Sequence, residues 1–183
     1  VSERRVDLDA RTLIVGPSSV GKTQLTASAL EDYLGREGAD GVVVLEFAPE
    51  VERDGSLLGG RLERFTSIPD TVWTGVLEAH APRSDADSAP EALALATDNA
   101  ERARSLLETA PRPRAVFCND VTIPLQGELG LLETLVRYCE PADCVVLNGL
   151  DSDELGMETT IGRREQTALS SLREWADHTL TLE

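Results

Sequence analysis

Lysine is almost missing from this chain: Lys22 stands alone against sixteen arginines. Aromatic residues make up only 4% of the 183, while hydrophobic residues make up 41%, so a core has to be assembled from Val, Leu, Ile and Ala. No run approaches the ~18 apolar residues of a helical membrane span, which excludes one. Three cysteines, Cys118, Cys139 and Cys144, cannot form a full set of disulfides. No further Cys or His lies close enough to Cys139 and Cys144 to complete a metal-ligand cluster. They read as reduced, buried thiols of a reducing cytosol. The two histidines, His80 and His178, are far apart and read as surface or satisfied residues, not catalytic ones. The stretch from Val1 to Arg11 is charged and has no apolar h-region, so no secretory signal and a cytoplasmic location are expected.

Charge is lopsided. The 33 acidic and 17 basic residues leave a formal net charge of −16. Phosphate repulsion over most of the surface argues against general nucleic-acid binding, and the same repulsion argues against anionic membranes. An acidic surface nearly free of Lys resembles that of halophilic cytosolic proteins. Self-repulsion of this size should weaken the fold at low ionic strength. The melting temperature is therefore expected to rise between dilute buffer and molar KCl, and a flat response would count against salt adaptation.

Along the chain, residues 11–16 form an aliphatic run ending at Gly16, as a buried strand does. A loop follows, then a helix from Lys22 to about Arg36 and a second buried strand from Gly41 to Phe47. This is a βαβ unit. Residues 48–112 give no clean strand signal. They show weak helical character at 71–78, a polar loop at 81–90 and an amphipathic helix from Glu91 to Thr109. That is more than a crossover needs, and surplus of this kind is often a lid or recognition element. Strands at 114–120, 143–148 and 178–182 then alternate with helices at 128–139 and 162–176. The pattern predicts one α/β domain over 1–183, with a mostly parallel sheet of about five strands flanked by helices and an insertion at 48–112 between strands 2 and 3.

The chemistry is concentrated at Gly16-Pro17-Ser18-Ser19-Val20-Gly21-Lys22-Thr23, which matches G-x-x-x-x-G-K-[ST]. For this composition a chance match is on the order of one in a thousand. Its glycines let backbone N–H groups turn inward toward a phosphate, and the following helix presents its positive end to the anion. The only lysine of the chain stands where the pattern requires one. On these residues, and on 11–36 around them, the chain resembles the P-loop NTPase superfamily. The resemblance implies ATP or GTP with Mg²⁺, Lys22 on the β- and γ-phosphates and the Thr23 hydroxyl on the metal.

A Walker B acid should end a buried strand, and Asp120 fits, as a metal-side carboxylate. Glu46, at the end of the second strand, and Glu50 are candidate general bases. Gly16, Glu46, Asp120 and Asn148 should share the carboxyl rim of the sheet, where α/β folds bind ligands. Asn148-Gly-Leu-Asp151 is similar to the N-x-x-D base-reading motif of GTPases, with Gly149 where that family has Lys and Ile123 where the D-x-x-G continuation needs Gly. The layout also resembles maturation-factor GTPases. Arg53, Arg61, Arg64, Arg163 and Arg164 are candidates to meet phosphoryl charge. The expected function is Mg²⁺-dependent binding of a nucleoside triphosphate, ATP, with hydrolysis or kinase-like transfer to a small-molecule acceptor. The alternatives are a GTP switch or accessory factor acting through a protein partner, and a binding module completed by a larger assembly.

Overall fold

Strands with every residue buried need cover on both faces, and the fold supplies it. The structure is a computed structural model. It describes residues 5–53, 56–58, 60–127, 130–151 and 158–183, with side chains described outside 51–59. Strand β1 (Arg11–Gly16) leads to helix α1 (Lys22–Glu37) and strand β2 (Val42–Glu46). A short antiparallel hairpin follows, β3 (Val51–Arg53) with β4 (Ser56–Leu58). A single 3₁₀ turn (Leu62–Arg64), strand β5 (Trp73–Val76), the turn-length helix α2 (Pro82–Asp85) and the long helix α3 (Ala89–Thr109) come next. The rest of the chain is β6 (Ala115–Asn119), α4 (Thr122–Leu125), α5 (Gly130–Cys139), β7 (Cys144–Leu150), α6 (Thr160–Trp175) and β8 (His178–Thr181).

Six strands form one all-parallel sheet in the order β5-β2-β6-β7-β1-β8. Side chains alternate between its faces, as the pleat dictates. Ile14, Val42, Val44, Phe117 and Val146 pack under α1 with Ala27, Leu30 and Tyr33. Tyr33 meets Phe117 edge to face at 5.7 Å. Leu13, Val43, Leu45, Val116, Val145 and Leu147 face the other way, onto α3, α5 and α6. The three cysteines are free and buried. Burial pushes the thiols of Cys139 and Cys144 up to about 12. Among the described residues no helix is long and apolar enough to cross a membrane.

The α/β class and the flanking helices match expectation, while the sheet has one strand more than the sequence suggested. The weak helix read at 71–78 is strand β5. Val72, Val76 and Leu77 have helical spacing, but Trp73, Thr74 and Val76 favour extended backbone, and pairing with β2 decides between them. Residues 73–109 of the stretch read as an insertion therefore belong to the sandwich, as an edge strand and a covering helix. Strand β6 ends at Asn119, so Asp120 lies just beyond it, in the left-handed region with φ 59°.

Candidate functional site

Helix α1, which follows β1, covers one face of the sheet, and α6, which follows β7, covers the other. These two strands are neighbours, so the chain leaves them in opposite directions and opens a crevice at their carboxyl ends. Open α/β sheets bind ligands at such a switch point. A cavity of about 470 Å³ sits there, lined by Ser18, Ser19, Lys22, Thr23, Asn119 and Asp120 among others.

The loop that enters it is tightly wound. A Cβ on Gly16 would stand 2.4 Å from the carbonyl oxygen of Leu182, so only glycine lets the loop pass the end of the sheet. Ser19 and Gly21 take φ of 64° and 94°. Gly21 opens α1 with no side-chain cap, and the helix has no acid in its first turn. Its first N–H groups are thus left to a ligand or water, and its positive end is unopposed. The Lys22 ammonium donates to the Gly16 carbonyl at 2.9 Å and to that of Pro17. Burial lowers its proton affinity, and the charge of Asp120 works against that.

Behind the loop lies a continuous polar network. Glu46 and Asn119 are register partners on β2 and β6. Glu46, 2% exposed, accepts the Leu62 N–H at 2.6 Å and the Asn119 amide at 2.9 Å. The Asn119 oxygen accepts from the Thr23 hydroxyl at 3.3 Å and from the Asn148 amide at 3.2 Å. Asn148 also donates to the Thr26 hydroxyl at 2.8 Å, and its oxygen takes the Asp120 N–H at 2.8 Å. The Asp120 carboxylate accepts from Thr122 at 2.9 Å. Burial, with the like charge of Glu165, raises it to about 6 against the Thr122 bond and the positive charges of Lys22 and Arg83.

The rim residues Gly16, Glu46, Asp120 and Asn148 are therefore brought together at this end of the sheet. Asn119, which sequence reasoning passed over, accepts the Thr23 hydroxyl, and Asp120 lines the same cavity. Glu46 braces Asn119 from behind and does not line the cavity. Burial raises its proton affinity, and its two hydrogen bonds oppose the rise. Both Asn148 amide hydrogens are committed within the network, so the residue positions Asp120 and has no donor to offer a nucleobase. Asp151 pairs with Arg173, and its N–H bonds the Gly16 carbonyl at 3.1 Å.

The arginines also sort differently. Arg61 lies near Glu50 at 3.6 Å, Arg164 donates to the carbonyls of Gln126 and Gly127, and Arg163 to that of Glu158. Arg64 is exposed, and the side chain of Arg53 lies outside the described residues. Arg83, absent from the sequence reading, is the arginine whose charge reaches Asp120. It forms a two-pronged pair with buried Glu165.

Glutamine at position 46 cannot accept both bonds that Glu46 accepts. One of its amide hydrogens would oppose the Leu62 N–H or the Asn119 amide. A buried donor left unmatched costs about 1–3 kcal/mol. Glu46→Gln is accordingly expected to lower the urea midpoint with an unchanged m-value, and an unaltered midpoint would remove Glu46 from the bracing role.

Among the described residues no group of three or more His, Cys, Asp or Glu could hold a metal ion. The oxygens near Lys22 are instead a hydroxyl, an amide and one carboxylate. Such a set suits a Mg²⁺ that keeps its waters and arrives with phosphate oxygens, since Mg²⁺ dehydrates reluctantly. No protein-family model matches the chain, and no curated protein sequence matches it.

Proposed function

We propose that the protein binds a Mg²⁺–nucleoside triphosphate, ATP, at the loop 16–23 and passes the γ-phosphoryl group to water or to the hydroxyl of a small acceptor. One observation carries this reading. An uncapped helix end, the single lysine and a carboxylate raised to about 6 face one cavity at the switch point of the sheet.

The division of labour follows from the contacts. The N–H groups of residues 18–23 and the start of α1 take the β-phosphate, as helix N-termini take anions. Lys22 exchanges its two carbonyl partners for phosphate oxygens. Thr23, with Asn119 beside it, would hold Mg²⁺, which supplies charge neutralisation on the transferring group. Asp120 is the base that receives the proton of the attacking oxygen, and Asn148 fixes it through its backbone N–H. Glu46 holds Asn119, and through it Thr23, in place.

Thermal unfolding in molar KCl with Mg²⁺, with ATP and GTP titrated in parallel, tests the proposal. A ligand at 100 times its Kd adds about 2.7 kcal/mol. At this chain length that is a rise of roughly 5–10 °C. The rise is expected with ATP. A rise with GTP alone would turn the reading to a GTP switch, and none with either would overturn it. The engaged amide of Asn148 and the ion pair of Asp151 support ATP, because they leave the N-x-x-D segment without a free guanine reader.

A further inference from the structure

A larger cleft, of about 870 Å³, lies away from the loop, between α2, the start of α3 and the start of α6. That volume is in the range that encloses a small molecule. Its walls are mainly aliphatic, with Pro82, Ala92, Leu93 and Ile161 among them. Two arginines, Arg83 and Arg163, line the same space.

The Arg83 group is built in. Glu165, only 3% exposed, grips it through both carboxylate oxygens, and the Gln126 amide holds Glu165 in turn at 2.6 Å. A carboxylate buried this deeply is unfavourable unless it is paired, and this one fixes the plane of an arginine at a cleft wall. Arginine has five N–H donors, and the two-pronged grip engages two, leaving three without a partner among the described residues. Arg163 gives one N–H to the Glu158 carbonyl at 2.8 Å and forms no ion pair among the described residues. On a chain of net charge −16, two arginines against an aliphatic wall set this cleft apart from the surrounding surface. Asp87 and Glu158 also line it and would repel a polyanion such as a triphosphate more strongly than a singly charged head.

We propose that this cleft is a second ligand site, for a small molecule with an apolar body and one anionic head such as a carboxylate, gripped by Arg83 and Arg163. It is separate from the nucleotide reading and stands without it.

The test is a fluorescence titration of the full chain in molar KCl with two probes. One is 8-anilinonaphthalene-1-sulfonate, a naphthyl body with a single sulfonate. The other is its uncharged relative N-phenyl-1-naphthylamine. The anionic probe is expected to bind one per chain, at least tenfold tighter than the neutral one. Ala92→Trp should fill the cleft and abolish binding of both. Arg163→Ala, at an exposed position that keeps the test decisive if the tryptophan variant fails to fold, should weaken the anionic probe five- to tenfold and leave the neutral one unchanged. Lys22→Ala should bind both probes as the parent does. Binding that survives Ala92→Trp in the folded protein, equal affinity for both probes, insensitivity to Arg163→Ala, loss with Lys22→Ala, or no saturable binding would each overturn the proposal.

Discussion

Replacing Lys22 with alanine is expected to erase the thermal shift produced by Mg²⁺–ATP while leaving the protein folded. The ammonium touches two carbonyls of its own loop, Gly16 and Pro17, and among the described residues no carboxylate lies within ion-pair distance. Both carbonyls lie beside the cavity, where water can replace the lysine, so the fold loses only about 1–2 kcal/mol. The ligand loses far more. Charge-assisted hydrogen bonds to phosphate are worth about 1.5–3 kcal/mol each, and Lys22 offers the only lysine in the chain. Loss of two such bonds lowers affinity by a factor on the order of 10²–10⁴, enough to remove a shift of several degrees at the same ATP concentration. Lys22→Arg is expected to fail as well, because a planar guanidinium is too broad for a position that reaches two carbonyls of one tight turn. A full ATP shift in the alanine variant would remove the loop from the binding site.

The first βαβ unit was legible because its signals are local. An aliphatic run, a glycine-bounded loop and a helical stripe each lie within one short window, and β1, α1 and β2 lie close to where those windows put them. Strand β5 was not, because a four-residue edge strand with a mixed burial pattern shows neither a buried run nor clean alternation. Only its partner β2 makes it a strand. That Asn119 bonds Thr23 was missed for a simpler reason. Neighbouring strand residues point to opposite faces, so a boundary misplaced by one residue swaps which side chain meets the loop. The Asn–Asp pair at the end of an aliphatic run is the signal in the sequence that points to either residue. The group around Glu165 was out of reach altogether. Arg83 and Gln126 stand 82 and 39 positions from it, and nothing short of the packed sandwich puts them together.

Asp120→Asn is expected to separate stability from turnover. Asparagine tolerates the left-handed backbone at this position, and its amide oxygen can still accept from Thr122. The variant should therefore fold. The folded-state proton affinity of Asp120 is raised from 3.8 to about 6, chiefly by burial. The folded state thus holds the proton more tightly than the unfolded chain does. Stability from this group is fully present below the unfolded value, declines as pH rises through the window between the two, and stays lower above about 6. The neutral amide avoids that penalty, so above this window the variant should be more stable by about 2 kcal/mol, a figure reduced for the water that reaches the carboxylate from the cavity. Catalysis should move the other way. A base must be ionised to accept a proton, so parental turnover is expected to fall as pH drops below about 6. The variant should lose about 10²–10⁴-fold in turnover, keep the ATP-induced thermal shift, and show no acidic limb near that pH. Urea midpoints and turnover rates across pH 5–8 measure both halves of the prediction on the same two proteins. A variant that loses turnover without gaining stability would make the Asp120 charge structurally favourable in the fold. A variant that keeps its turnover would exclude Asp120 as the base and turn attention to Glu50, four residues past the end of β2, once it is released from Arg61.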